Sequence, residues 1–272
     1  ALRTADIGVA MGIAGTDVSK EAADMILADD DFATIVAAVE EGRAIFDNIR
    51  KFLRYLLSSN IGEVLTMFFG VVLAVPLGLA QAVEGAVALP LLATQILWIN
   101  LITDGAPALA LGVDPPGRGI MTRPPRPRGE GVMTARMWGG ILFVGAAMAA
   151  ATLAALDAGL PGGLIEGAGS IERARTLAFT TLVLAQLLNV FSARSDETSI
   201  VVGMFSNPWL WGATALSLGL HAAVLYLPPL QKAFATTPLD GADWALCGAL
   251  AVGTLAAREA FKLVTRRRGA QA

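Results

Sequence analysis

The sequence predicts a mainly α protein, a six-helix transmembrane bundle preceded by a short α/β segment. Three observations carry that expectation. Of 272 residues, 55% are hydrophobic and only 16% charged, with a mean hydropathy of +0.61, which is the composition of a membrane protein. Apolar stretches recur six times, each near the ~20 residues a helix needs to cross a ~30 Å hydrocarbon core. Outside the loops, only residues 1–31 read as soluble.

The apolar run from Ile7 to Met11, followed by Gly12 and Gly15, reads as a strand and a turn. Thr16 and Asp17 are good N-cap types, and Val18–Leu27 has helical composition, so a helix is expected there. The acidic triplet Asp29–Asp31 then interrupts it and caps a second short helix starting near Phe32. Between Gly42 and Val75 there is no proline. The first half of that stretch is amphipathic and basic (Arg43, Arg50, Lys51, Arg54), and the second is apolar. One helix leaving the cytosol and entering the bilayer is expected; at 1.5 Å per residue it is roughly 50 Å long, so its first part projects as a stalk. Further spans are expected at about 89–112, 138–156, 176–192, 208–227 and 243–264. Trp138, Trp209, Trp211 and Trp244 fall near span starts, where an indole packs on lipid and hydrogen-bonds at the interface. The chain thus divides into 1–41, 42–112, a loop 113–137, and 138–272.

An even number of spans places both ends on one side. Arg118, Arg123, Arg126, Arg128 and Arg136 in the 113–137 loop, with Lys262, Arg266, Arg267 and Arg268 in the tail, make that side the cytoplasm. The loop between the first two spans has Glu84 and no Lys or Arg, as an outside loop should; Arg173 and Arg175 run against this topology. A net charge of −3, with the basic residues clustered in two places, argues against a nucleic-acid partner. The single cysteine, Cys247, lies in an apolar run and reads as a small buried hydrophobe. Ala1 follows no recognisable leader, so a start inside a longer protein is expected. The Arg-Pro run 123–128 reads as a rigid cytoplasmic linker.

Ionisable groups inside spans are expensive, roughly 2.5–3.5 kcal/mol on insertion scales, and mark functional sites. Asn60 and Glu63 share one face of the first span. Asn100, Thr103 and Asp104 share one face of the second. Two carboxylates, two amide oxygens and a hydroxyl form a hard-cation set, suited to calcium, sodium or potassium and unsuited to copper or zinc. Gly105-Ala106-Pro107 comes directly after, and a mid-span proline frees upstream carbonyls that a broken helix can offer to an ion. The competing role for the amides and Thr103 is interhelical hydrogen bonding. Gln186, a long amide in an apolar helix, is a further candidate with the same competitor. His221 reads as a packing residue, and Arg258 and Glu259 as a snorkelling or locally paired set at a span end.

The residues resemble the P-type ATPases, and within them the calcium-pump branch. Ala5-Asp-Ile-Gly-Val-Ala-Met-Gly12 and Gly15-Thr-Asp-Val-Ser-Lys-Glu-Ala-Ala-Asp-Met-Ile-Leu27 are similar to the end of that family's α/β (HAD-like) phosphorylation domain, so 1–41 is expected to be a remnant of it. Asp47-Asn-Ile-Arg-Lys-Phe and Ser58-Ser-Asn-Ile-Gly-Glu63 resemble the fifth transmembrane helix, and Trp98-Ile-Asn-Leu-Ile-Thr-Asp-Gly105 the sixth. The resemblance implies an ATP-driven pump of the bacterial plasma membrane, with Asn60, Glu63, Asn100, Thr103 and Asp104 as ligands of the transported cation. Gln186 matches a position that is a glutamate in the two-site calcium pump of muscle, which implies one ion per cycle here. Neither the Asp-Lys-Thr-Gly motif nor the Thr-Gly-Asp-Gly motif occurs. ATP, Mg2+, the actuator and nucleotide-binding domains, the rest of the phosphorylation domain and helices 1–4 therefore belong to the complete parent protein, and this chain is not expected to hydrolyse ATP alone. Two alternatives stand beside this reading: a non-enzymatic cation-binding membrane module, or partner of a separately encoded N-terminal half; and a secondary transporter of unrelated family, which the lack of an internal repeat disfavours.

Overall fold

The computed structural model describes residues 1–79, 88–117, 119–127, 129, 131–165, 167, 169–195, 199–201 and 203–269, the last four by backbone alone. Glu84, Arg118, Arg128 and the side chains of Arg266, Arg267 and Arg268 lie outside the described residues. The chain forms two compact units: Ala1–Asp47 with Pro115–Pro127, and Asn48–Asp114 with Arg128–Ala272.

In the first unit, β1 (Val9–Met11), α1 (Asp17–Ala22) and β2 (Met25–Leu27) form a parallel β-α-β turn, with Val9 opposite Met25 and Met11 opposite Leu27. Thr16 caps α1, its hydroxyl accepting from Ser19 N at 3.3 Å. The helix expected over Val18–Leu27 is therefore corrected: it stops at Ala22, and its last third is a strand. The reason is non-local. A strand at Val9–Met11 needs a partner for its backbone, and the Asp24 carboxylate takes the Gly8 N–H at 2.8 Å, setting the register for Met25–Leu27. Asp30, in a left-handed turn at φ 54°, accepts from Ile13 N and Ala14 N at 2.9 and 2.8 Å and so ties the two turns together.

The next element also departs from expectation. The short helix near Phe32 and the long one from Gly42 are a single 40-residue helix, α2 (Ala33–Val72). The Asp31 carboxylate starts it by accepting from Ala33 N at 2.9 Å. Gly42 costs only about 1 kcal/mol against alanine in a helix interior, too little to end it. The 115–127 segment is held against the Arg43–Asp47 stretch of α2. Arg43 donates to the carbonyls of Ile120 and Arg123, both at 2.9 Å, Arg123 pairs with Asp47 at 2.9 Å, and the Arg126 guanidinium lies 4.3 Å above the Phe46 ring.

The second unit holds the remainder of α2 with α3 (Ala93–Thr103), α4 (Ala106–Gly112), α5 (Ala135–Ala158), α6 (Ile171–Ser192), α7 (Pro208–Tyr226), α8 (Pro228–Phe234) and α9 (Gly241–Gly269). Local signals set the starts: Thr134, Ser170 and Asn207 each accept a backbone N–H from the first turn of α5, α6 and α7, and Pro208 occupies the first position of α7. Among the described residues, α2, α5, α6 and α7 are long and apolar enough to cross a membrane. The expected span 89–112 is the pair α3 and α4, broken between them, and the expected span 243–264 falls within α9.

The core gathers around α6, with Phe179, Leu182 and Val183 packed among Ile99, Ile102, Met148, Leu156, Val224 and Ala251. Gly145 lets α5 approach α2 closely: a Cβ there would sit 2.5 Å from Ile61 Cγ2. Arg173 and Arg175, which ran against the topology, lie on the first turns of α6, the one paired with Asp243 at 2.6 Å, the other donating to Leu89 O at 2.9 Å. Glu259 pairs with Lys262 at 2.7 Å and also accepts from Ser192 Oγ at 3.1 Å, and Cys247 is buried, as the sequence suggested for the cysteine.

Candidate cation site

The site is made by one continuous helix and one broken one. From α2 come Tyr55, Asn60 and Glu63; α3 ends on Asn100 and Thr103, with Asp104 at its C-cap. The break has a local cause. Pro107 has no N–H to give to the carbonyl of Thr103, four residues before it, and α4 begins at Ala106, whose N–H would serve Ile102 in an unbroken helix. Gly105 is required at the join, since a Cβ there would sit 2.6 Å from Leu101 O. Ile102 and Thr103 are both buried, and an unpaired carbonyl in such a place costs about 1–3 kcal/mol. Side chains fill the gap: Ser217 of α7 donates to Ile102 O at 2.6 Å, and Tyr55 of α2 donates to Thr103 O at 3.0 Å. Each of these freed carbonyls thus has one donor, which occupies one of its two lone pairs.

The other candidate ligands are side-chain oxygens. Glu63, 5% exposed, is the centre. Gln186 Nε2 of α6 donates to its Oε1 at 2.9 Å, and the Asn100 amide faces both carboxylate oxygens, donating at 3.1 and 3.2 Å when its nitrogen is turned toward them. Turning that amide over would present an oxygen to the same place, so Asn100 satisfies the carboxylate in one orientation and joins it as a ligand in the other. Gln186 Oε1 is buried without a partner. The Thr103 hydroxyl gives its proton back to Ile99 O at 2.8 Å, leaving lone pairs on the oxygen, and lies 3.5 Å from Asp104 Oδ1. Asn60, exposed on α2, donates to Leu56 O at 2.9 Å.

Of the six sequence candidates, Glu63, Asn100 and Gln186 are joined directly, Thr103 and Asp104 lie together at the α3 terminus, and Asn60 bonds back to its own helix. Among the described residues no group of three or more His, Cys, Asp or Glu side chains is placed to hold a metal, so amide and hydroxyl oxygens must complete any coordination. That suits a hard cation, which takes six to eight oxygens when it is calcium.

Sequence reading missed several residues around this centre. Tyr55 and Ser217 carry no motif, although a hydroxyl within an apolar span was a signal. Asp114, just after α4 and 4% exposed, receives Lys51 Nζ at 2.7 Å, Arg194 through Nη2 and Nε at 2.8 and 3.1 Å, and Asn207 Nδ2 at 3.0 Å. Asn48 donates to the carbonyls of Gly112 and Asp114 at 3.2 and 2.9 Å. This buried network ties the end of α4 to α2 and to the start of α7. His221 is a packing residue, as expected, edge-on to Phe179 and 3.1 Å from Thr180 Oγ1.

Helices long and apolar enough to cross a membrane, with oxygen-bearing side chains gathered at a broken helix, are the architecture of an integral membrane protein. A family profile described as "Cation transporting ATPase, C-terminus" matches residues 88–264, and the chain belongs to that family of cation-transporting ATPases. It is similar to the calcium-transporting ATPase of Bacillus subtilis (strain 168), 45% identical over 90% of this chain and 26% of the relative. Two relatives from Arabidopsis thaliana, the endoplasmic reticulum-type calcium-transporting ATPases 4 and 3, are 36% and 37% identical over 98% and 99% of this chain and 29% and 28% of their own length. The chain spans little more than a quarter of the curated relatives it matches.

Proposed function

We propose that this chain is the ion-translocating membrane part of an ATP-driven P-type pump and that calcium is its cargo. The single observation that carries the reading is the meeting of Glu63, Asn100 and Gln186 from three different helices at one buried carboxylate. The names of the relatives support calcium as the ion. In this reading Asn60, Glu63, Asn100, Thr103 and Asp104 ligate the cation, with Gln186 as an additional oxygen. Two carboxylates neutralise one divalent ion, and because Gln186 is neutral the site holds one ion per cycle. Cation entry replaces the amide hydrogen bonds to Glu63 with amide oxygen contacts to the ion, and exit reverses this.

The same reading gives six spans: α2, α3 with α4, α5, α6, α7 and α9, with both ends in the cytoplasm of a bacterial cell. Residues 1–41 are a remnant of the phosphorylation domain, and α2 is the element through which phosphorylation reaches Glu63. The phosphorylated aspartate, the actuator and nucleotide-binding domains, helices 1–4, ATP and Mg2+ belong to the full-length pump, and this chain alone does not hydrolyse ATP. In the full-length pump, Glu63→Ala or Asp104→Ala is expected to abolish calcium-dependent phosphorylation by ATP. Retained dependence with unchanged affinity sinks the assignment. A cysteine placed within 113–137 is expected to label only from the cytoplasm, and labelling from outside overturns the topology.

A further inference from the structure

Ser217 behaves unlike several other hydroxyls of the helices. A serine or threonine inside a helix ordinarily returns its proton to a carbonyl one turn back. Thr66 does so to Gly62 O at 2.7 Å, Thr103 to Ile99 O at 2.8 Å, Thr176 to Glu172 O at 2.7 Å, and Thr214, three residues before Ser217 on α7, to Leu210 O at 2.8 Å. Ser217, 1% exposed, instead donates across to Ile102 O on α3 at 2.6 Å. The break has taken the helical donor from the Ile102 carbonyl, and Ser217 supplies one in its place. The peptide held in this way joins Ile102 to Thr103, with Asp104 next in the chain.

We infer that Ser217 is a positioning residue of the cation site: through the Ile102 carbonyl it fixes the last peptide of α3, and so the oxygens of Thr103 and Asp104. Tyr55 holds the next carbonyl from the opposite element, α2. The broken stretch of backbone is therefore pinned by two hydroxyls from two helices, and α7, which supplies no ligand, takes part in cation binding through this one contact. Without it the α3 terminus is free to turn Ile102 O toward another donor, and ligands that must converge on one ion lose their common geometry. The effect falls on cation affinity rather than on the phosphoryl chemistry.

This inference rests on the cation-site reading above. The test uses the full-length pump with Ser217→Ala, Ser217→Cys, Ser217→Thr, Thr214→Ala and Glu63→Gln. Two quantities are read: the calcium concentration for half-maximal phosphorylation by ATP, and the maximal level at saturating calcium. Ser217→Ala is expected to raise the half-saturating concentration roughly three- to ten-fold with the maximum retained. Ser217→Cys, a weak donor of similar size, shifts it in the same direction and serves if the alanine variant fails to accumulate. Ser217→Thr keeps the donor and stays within about two-fold of wild type, and Thr214→Ala, which removes a hydroxyl from the same helix, does not shift it. Ser217→Ala or Ser217→Cys behaving like Thr214→Ala, Ser217→Thr shifting as far as Ser217→Ala, or a fall in the maximum with unchanged half-saturation overturns the inference. If Glu63→Gln destroys the calcium response while Ser217→Ala and Ser217→Cys leave it untouched, only the role of Ser217 falls. If Glu63→Gln leaves the response intact, the cation site falls and the role of Ser217 with it.

Discussion

The two elements that bring Glu63 and Asp104 together are built in opposite ways. α2 runs for 40 residues without interruption, so its backbone is satisfied within itself and the place of Glu63 is set by the helix as a whole. The pair α3 and α4 is interrupted at Asp104 and Gly105, and two of its carbonyls depend on hydroxyls from other helices. In hydrocarbon a broken backbone survives only where protein supplies the missing partners. The contrast teaches that a break recruits polar groups around itself: Tyr55 and Ser217 lie at the site because the helix is broken there. It also separates a carboxylate on a continuous helix from one at a join between two helices.

The largest expected effect tests whether both halves are needed. In the full-length pump, Glu63→Ala and Asp104→Ala should each abolish calcium-dependent phosphorylation, and a pump that loses only one of the two responses would reduce the site to a single helix. Next comes the break itself. Pro107→Ala restores an N–H that competes with Tyr55 for Thr103 O, and is expected to weaken apparent calcium affinity about tenfold by drawing α3 and α4 toward one helix; the calcium dependence of phosphorylation reads this. An unchanged affinity would mean that Gly105, not Pro107, sets the join. Tyr55→Phe keeps the ring and removes the donor, leaving Thr103 O unpaired, and should lower stability by about 1–3 kcal/mol in a thermal or denaturant melt in detergent.

The smallest effect lies in the first unit, where the Asp30 carboxylate receives backbone N–H groups and not side-chain amides. Asp30 is held below the usual carboxylate range, first by the Ile13 N–H and then by the Ala14 N–H. A depressed folded-state pKa contributes stability that is fully present above the unfolded value, about 4, and is lost as pH falls through the lower folded value. Hydrogen exchange at the Ile13 and Ala14 amides should therefore lose protection only in that acidic range, and Asp30→Asn should remove the pH dependence. Unchanged protection through the acid range would show that the turn is held by its backbone alone.

Much of the helical framework was legible locally. Thr16, Thr134, Ser170 and Asn207 cap helices within three residues of themselves, the apolar stretches are contiguous, and the interruption by Pro107 comes from one missing N–H. The candidate ligands were legible too, because a carboxylate in an apolar span stands out whatever surrounds it. Where the sequence misled, the deciding partner was distant. Met25–Leu27 became a strand through a bond from Gly8 to Asp24, 16 residues away, and α2 continued through Gly42 because a weak local penalty was all that opposed it. Gln186 meets Glu63 across 123 positions, Ser217 reaches Ile102 across 115, and Lys51 meets Asp114 across 63. The properties that the sequence by itself determined therefore depend on a few neighbouring residues: where helices begin, where one must break, and which side chains are too costly to bury without purpose. Only the tertiary structure decided which donor each freed or buried acceptor found, because that choice is made by helices meeting in space, and sequence distance carries no record of it.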